Sequence, residues 1–209
     1  MIKWIKRSTM LIALLSSISM SANAAFIVEQ YDNYWSTSLS NMQSYANANA
    51  ASTTASFSVI DFSDTNSPGN FAGFNLWPSD APVWSGSSAA INDTFFVRIT
   101  GTIEFLTSSI IRTWNDDGVF VLIDGVTVLS DPTLHPPQYY FSSAVASGIH
   151  AFELYFFENG GGANLEVAFS DAQTQNYNQL TARIPEPSTL SLLGLCVAGL
   201  VFGRKFRKL

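Results

Sequence analysis

The chain has 209 residues, of which 47% are hydrophobic and 12% charged, with a formal net charge of −6; this balance excludes a disordered polyelectrolyte and suits a folded core. The charge is unevenly placed: Lys3, Lys6, Arg7, Arg204, Lys205, Arg207 and Lys208 lie at the ends, so the interval Ala25–Pro187 holds three basic and 16 acidic residues, 3 − 16 = −13. Such a domain is excluded as a nucleic-acid binder, because that affinity comes from neutralising phosphates, whereas acidic surfaces suit solubility and divalent cations.

The N-terminus begins with the basic stretch Met1–Arg7, continues through the apolar run Met10–Ile18, and reaches Ala22-Asn23-Ala24 followed by Ala25. A basic start, a short apolar run and small residues at the cut predict a secretory signal peptide over residues 1–24, removed by signal peptidase between Ala24 and Ala25. The apolar run is shorter than the roughly 20 residues a membrane span needs. The one cysteine, Cys196, lies near the C-terminus, so an exported domain over 25–183 must be held by its core rather than by a disulfide. At that length a single domain can bury about 70% of its chain surface.

Phe26–Tyr31 reads as a first strand, with Phe26, Val28 and Gln30 on one face and Ile27 and Glu29 on the other, followed by Tyr34 and Trp35 as core aromatics. Ser36–Ser56 is rich in Ser, Asn, Ala and Thr and is read as a loop or a poor helix without chemistry. Phe57–Phe62 is the next strand candidate. The stretch after it places Asp61, Asp64 and Asn66 at a spacing that would serve either a turn or a cation, and turn chemistry is the simpler account. Phe71–Trp84, interrupted by Pro78 and Pro82, is expected to be a long connection packed on the fold.

Phe95–Leu106 alternates as a half-buried strand does, with Gly101 as the expected position of a bulge. Ile110–Trp114 leads into Asn115-Asp116-Asp117-Gly118, two adjacent carboxylates beside a glycine where the chain must turn. Val119–Ile123 and Val126–Leu129 flank Asp124-Gly125, a strong hairpin signature because a type I′ turn needs positive φ. Ser130–Tyr140, with Pro132, Pro136 and Pro137, reads as a loop. Ile149–Phe157 is an aromatic strand, and Glu158–Ala163 is a glycine-rich turn into the strand Asn164–Phe169. Short strands punctuated by turns predict an all-β protein, an antiparallel β-sandwich over residues 25–183.

Only His135 and His150 are available as histidines, and no G-x-S-x-G, H-E-x-x-H or P-loop pattern occurs. Adjacent Asp116 and Asp117 are not expected to straddle a glycosidic bond at the roughly 5–9 Å a glycosidase needs. A binding or structural protein is expected, not an enzyme.

Residues 184–209 carry Pro185-Glu186-Pro187, an apolar run to Phe202 and the basic cluster Arg204–Lys208. The run is marginal for a transmembrane helix, and the basic cluster would stay on the cytoplasmic side. The three parts in this order resemble the PEP-CTERM sorting signal of Gram-negative bacteria. That resemblance implies processing by an exosortase near Pro185-Glu186-Pro187 and delivery to the cell surface or extracellular matrix.

A second resemblance covers Phe95–Phe169. A strand, Asp116-Asp117-Gly118, the hairpin Val121-Leu122-Ile123-Asp124-Gly125, the strand from Gly148 to Phe156 and the glycine-rich turn before Asn164 resemble the C-terminal half of the protective-antigen-type (PA-fourteen) domain, with its GLEYA adhesin branch. It implies a β-sandwich that often binds carbohydrate. In its adhesin members two cis-linked aspartates bind Ca²⁺, which takes sugar hydroxyls. That role would fall on Asp116 and Asp117, with Asn159 or Asn164 completing the site. The alternative is a structural corner whose carboxylates accept backbone N–H groups. The partners expected are an extracellular polysaccharide or glycan, or none if the domain is a ligand-free matrix component.

Overall fold

The computed structural model describes residues 25–63 and 94–183. The expected signal peptide with Ala24, the segment around Asp64 and Asn66, the connection Phe71–Trp84, Pro185-Glu186-Pro187 and the apolar run after it lie outside the described residues. Among the described residues no helix is long and apolar enough to cross a membrane.

The unit Ala24–Arg183 is an antiparallel sandwich. Its elements are β1 (Phe26–Asp32), α1 (Leu39–Ala48), β2 (Thr53–Phe57), β3 (Asp61–Ser63), β4 (Thr94–Phe105), β5 (Ser109–Asp116), β6 (Val119–Ile123), β7 (Val126–Asp131), β8 (Gln138–Phe141), β9 (Gly148–Asn159), β10 (Asn164–Asp171) and β11 (Asn178–Gln179). One sheet runs β2-β1-β4-β9-β6-β7, and the other runs β11-β10-β5-β8 with β3 also paired to β10. Between them lies the main core, built on Phe26, Phe62, Phe95, Phe105, Phe152, Phe156 and the aliphatic residues that alternate with them. Each such buried side chain contributes about 1.5–3 kcal/mol by leaving water.

The centre of the first sheet is buried on both faces. Its outer face carries a second cluster, in which Met42 and Ala46 of α1 pack with Tyr31, Phe96, Phe120, Leu122, Tyr155 and Phe157. Tyr34 and Trp35 belong to this outer layer, not to the main core: the Tyr34 ring stacks on Tyr45 at 3.9 Å and Trp35 on Phe157 at 5.9 Å. Double burial explains why β6 reads Val-Phe-Val-Leu-Ile with every residue buried instead of alternating. The helix has no side-chain cap bond from Ser38. Packing of its one buried stripe, rather than intrinsic propensity, therefore holds it.

Several expectations are corrected. Of the two readings of Ser36–Ser56, loop or poor helix, the helix holds over α1, but the stretch also supplies most of the strand β2, which pairs with β1. Phe57–Phe62 is not one strand: β2 ends at Phe57 in the first sheet and β3 begins at Asp61 in the second, so the chain crosses between sheets there. Gly101 is in regular register with Phe152, and the register shift falls at Val121/Leu122. Glycine is needed at 101 for close approach, since a Cβ would stand 2.7 Å from Phe26 Cδ1. Both ends of the expected loop Ser130–Tyr140 are strand, β7 reaching Asp131 and β8 starting at Gln138. The hairpin turn is as expected, with φ of 51° at Asp124 and 79° at Gly125.

Candidate functional site

Two crossings between the sheets meet at one end of the sandwich. In the first, β5 of one sheet passes to β6 of the other through Asp116-Asp117-Gly118, whose Asp116–Asp117 peptide is cis. In the second, β9 passes to β10 through Gly160–Ala163, with positive φ at Gly160 and Gly161. The crossings are tied together, since Asn164 stands opposite Asp116 in the β10–β5 register and the Phe157 N–H donates to the Gly118 carbonyl at 3.0 Å. Gly118 leaves no room for a side chain: a Cβ would lie 2.3 Å from Phe157 Cζ and 2.6 Å from the Asp131 carbonyl oxygen.

This geometry brings Asp116, Asp117 and Glu158 together, with one carboxylate oxygen of each within 4.8 Å of the others. Asp117 and Glu158 are buried and Asp116 is half-buried. Asp117 is held at both oxygens, Oδ1 accepting the His135 N–H at 2.9 Å and Oδ2 the Asn159 N–H at 3.0 Å. The donors lie 18 and 42 residues away, so this is a tertiary clamp and not a local Asx turn. A carboxylate has about four lone-pair sites, and two N–H bonds leave the others available.

A buried polar network fixes the corner from below. The Asn115 side chain, fully buried, accepts from Thr113 Oγ1 at 2.7 Å and donates to the Asp117 carbonyl at 2.6 Å and to Asp131 Oδ2 at 3.0 Å. Asp131 also meets His135 Nε2 at 2.6 Å, while His135 Nδ1 faces the Pro136 carbonyl at 2.8 Å. Burial pulls the His135 pKa down, but the bonds to Asp131 and Pro136 and the charges of Asp131 and Asp117 outweigh it and hold the imidazole above its ordinary value.

The two asparagines expected to complete the site take different places. Asn159 contributes its backbone N–H to Asp117. Asn164 is buried, with Oδ1 accepting from Ser63 Oγ at 2.7 Å and Nδ2 donating to the Gly162 carbonyl at 3.3 Å. Residue-by-residue reading missed Glu158, because it sits within the strand β9 and not in the turn, one position before a residue that was singled out. It also missed Asp131 and His135, since a proline-flanked loop gives no sign that it folds under a corner 14–18 residues upstream. Ala25 lies at the start of the described chain, next to β1.

Three hard oxygen donors suit Ca²⁺ by chemistry, and their spacing suits it by geometry: oxygens each about 2.3–2.6 Å from one ion stand no more than roughly 5.2 Å apart. Three carboxylates this close repel one another unless a cation or protons intervene. The residues present therefore fit a calcium ion.

The fold is that of a PA14-type β-sandwich. Its similarity to the PA14 sugar-binding domain from an RTX adhesin spans 78% of this chain and 99% of that one, with a TM-score of 0.58 at 17% identity. The PA14 domain of the antifreeze protein MpAFP is similar over 77% of this chain and 92% of that one, with a TM-score of 0.56 at 13% identity. An anti-sigma factor domain-containing protein from Clostridium clariflavum is similar over 79% of this chain and 48% of its own, with a TM-score of 0.50 at 17% identity. At these identities the likeness is one of fold. No curated protein matches the chain in sequence. Residues 183–208 match the PEP-CTERM protein-sorting motif, which marks an exported protein directed to the cell surface.

Proposed function

We propose that this protein is a surface adhesin-like binder that takes glycan through a Ca²⁺ ion held by Asp116, Asp117 and Glu158, and that it is not an enzyme. The observation that carries the reading is the convergence of these three carboxylates where the sheet crossings meet. When bound, the ion would supply open positions for sugar hydroxyls. The chain's own part is to hold the corner rigid: Asn115 locks the Asp117 carbonyl, and His135 and Asn159 fix the carboxylate. The fold shared with a sugar-binding adhesin domain supports the glycan half of the reading.

In this reading residues 1–24 are a signal peptide cut at Ala24–Ala25. An apolar helix after Pro185-Glu186-Pro187 holds the chain in the inner membrane of a Gram-negative cell until an exosortase processes it, and the product joins the surface or the polysaccharide matrix. Calcium titration calorimetry of the purified protein tests the metal site. Heat of binding is expected in the wild type and its loss in Asp116→Asn/Asp117→Asn; no heat in the wild type, or equal heat in both, overturns it.

A second reading has one observation behind it: Asp117 already has N–H partners at both oxygens, so the corner would stand without metal. A ligand-free matrix component would then use its acidity for hydration. A glycan array left blank with and without Ca²⁺ decides for this second reading, and a sugar signal erased by a chelator decides against it.

A further inference from the structure

Among the described residues two exposed large aromatic side chains stand out, Tyr139 and Phe141, 42% and 55% exposed. Both are on β8, two residues apart and so on one face, while Tyr140 between them turns inward and packs on the main core. They continue across the sheet: Tyr139 is opposite Trp114 and Phe141 is opposite Arg112 in the β5–β8 register. Cross-strand partners share a face. On β5 the outward, half-buried positions are Ile110, Arg112, Trp114 and Asp116, alternating with buried ones. The outer face of the second sheet thus carries an aromatic row that leads along β5 to Asp116.

The row is rigid. The Arg112 guanidinium lies 4.7 Å from the Tyr139 ring centroid and 4.4 Å from that of Tyr177, and the Tyr177 ring is 5.9 Å from that of Phe141. Arg112 is itself anchored, Nη2 meeting Glu166 Oε1 at 3.0 Å with the Glu166 side chain 1% exposed. A cation between two rings, pinned to a buried carboxylate, holds Tyr139 of β8 and Tyr177 of the segment before β11 in place, so that binding would cost little ordering entropy. Arg112 is paired with Glu166, and the pair carries no net charge to draw an anionic ligand. In an interval of charge −13 an acidic polymer would also be repelled.

We infer that the outer face of β5 and β8, with Trp114, Tyr139, Phe141 and Tyr177, is an extended subsite for a neutral polysaccharide chain, its sugar rings stacked on the aromatics and its end at Asp116. The inference rests on the reading of the acidic corner as a sugar site and adds to it a preference for chains over single sugars. The path from Asp116 to Arg112 is about 14 Å at roughly 3.4 Å of strand per residue, longer than one sugar ring. The flat C–H face of a neutral sugar matches the electron-rich face of an aromatic ring.

Affinity electrophoresis of the purified protein in Ca²⁺ against dextran, laminarin and galactomannan, with alginate as the anionic polymer, identifies the ligand. Calorimetry with oligosaccharides of rising length from that ligand follows. In the wild type, affinity is expected to tighten about tenfold or more from the monosaccharide to the longer oligosaccharides, the scale two aromatic contacts supply. In Tyr139→Ala/Phe141→Ala the gain with length is lost, while melting temperature, Ca²⁺ heat and monosaccharide affinity are kept. Tyr139→Phe, which retains the ring, keeps the gain.

Stronger binding to alginate, no tightening with length, or tightening that survives the double alanine variant each overturns the inference. If Ca²⁺-dependent monosaccharide binding persists in those cases, the corner reading stands and this one falls; if no sugar binds at all, both fall. Light scattering separates the remaining occupant: a dimer in the wild type that becomes a monomer in the alanine variant makes the face a contact between copies and overturns the subsite.

Discussion

Replacing Asn115 by Asp tests the network that holds the acidic corner without changing side-chain volume. The Asn115 amide nitrogen is the donor to the Asp117 carbonyl at 2.6 Å and to Asp131 Oδ2 at 3.0 Å, in a side chain with no exposure. Asn115→Asp puts an acceptor in its place, facing two acceptors. The lost bond to a neutral carbonyl is worth about 1 kcal/mol and that to a carboxylate about 1.5–3 kcal/mol. Repulsion between buried charges adds to this, so the total loss is about 3–5 kcal/mol, the scale of an uncompensated buried charge. For a domain of this size that lowers Tm by roughly 6–20 °C. Thermal unfolding followed by near-ultraviolet circular dichroism at pH 7.5, without added metal, measures it. Part of the loss should return at pH 5, where the introduced carboxyl takes up a proton and donates again. A Tm within about 2 °C of wild type at pH 7.5 would refute the assignment of Asn115 as the lock.

Three further outcomes are expected. Gly118→Ala drives a Cβ into Phe157 and the Asp131 carbonyl oxygen; such overpacking costs about 1–3 kcal/mol, read as a lower denaturant midpoint together with weaker Ca²⁺ heat. Gly125→Ala meets no atom within 4 Å but must adopt φ of 79°, so it costs only about 1 kcal/mol and leaves Ca²⁺ binding unchanged, which calorimetry and denaturation check together. The third concerns pH. Burial, aided by the nearby Glu166 charge, raises the Asp61 pKa from 3.8 to about 6. The folded state therefore favours the protonated form, so the stabilisation is complete below 3.8 and is lost as pH rises through about 6. Melting curves of wild type between pH 5 and 7.5 should fall more steeply than those of Asp61→Asn; parallel curves would show that Asp61 does not titrate in this window.

The strands and their turns were legible where one face was buried and the period was two. Phe95–Leu106 and Asp124-Gly125 fall almost where the pattern puts them, because alternation and positive φ are local properties. In Ser36–Ser56 the helix α1 was legible only as an alternative to a loop and β2 not at all, since its small neutral residues have weak preferences of their own. Met42 and Ala46 take up a helical stripe only because Tyr31, Phe96 and Phe157 present an apolar face to cover. The break between β2 and β3 was invisible for a related reason: a crossing between sheets leaves no mark in hydrophobicity when both sides are buried.

By itself the sequence determined the sorting motif, the acidity of the interval Ala25–Pro187 and the pair Asp116-Asp117 at a turn, all features of composition and adjacency. Only the tertiary structure decided which residues meet that pair. Glu158 joins it because β9 and β10 cross between sheets beside the β5–β6 crossing. His135 and Asn159 reach Asp117 by hydrogen bonds from 18 and 42 residues away, and Asp131 supports the corner indirectly, through the Asn115 side chain. A carboxylate's neighbours are set by strand pairing over long separations, and single-sequence patterns report only what is near in the chain.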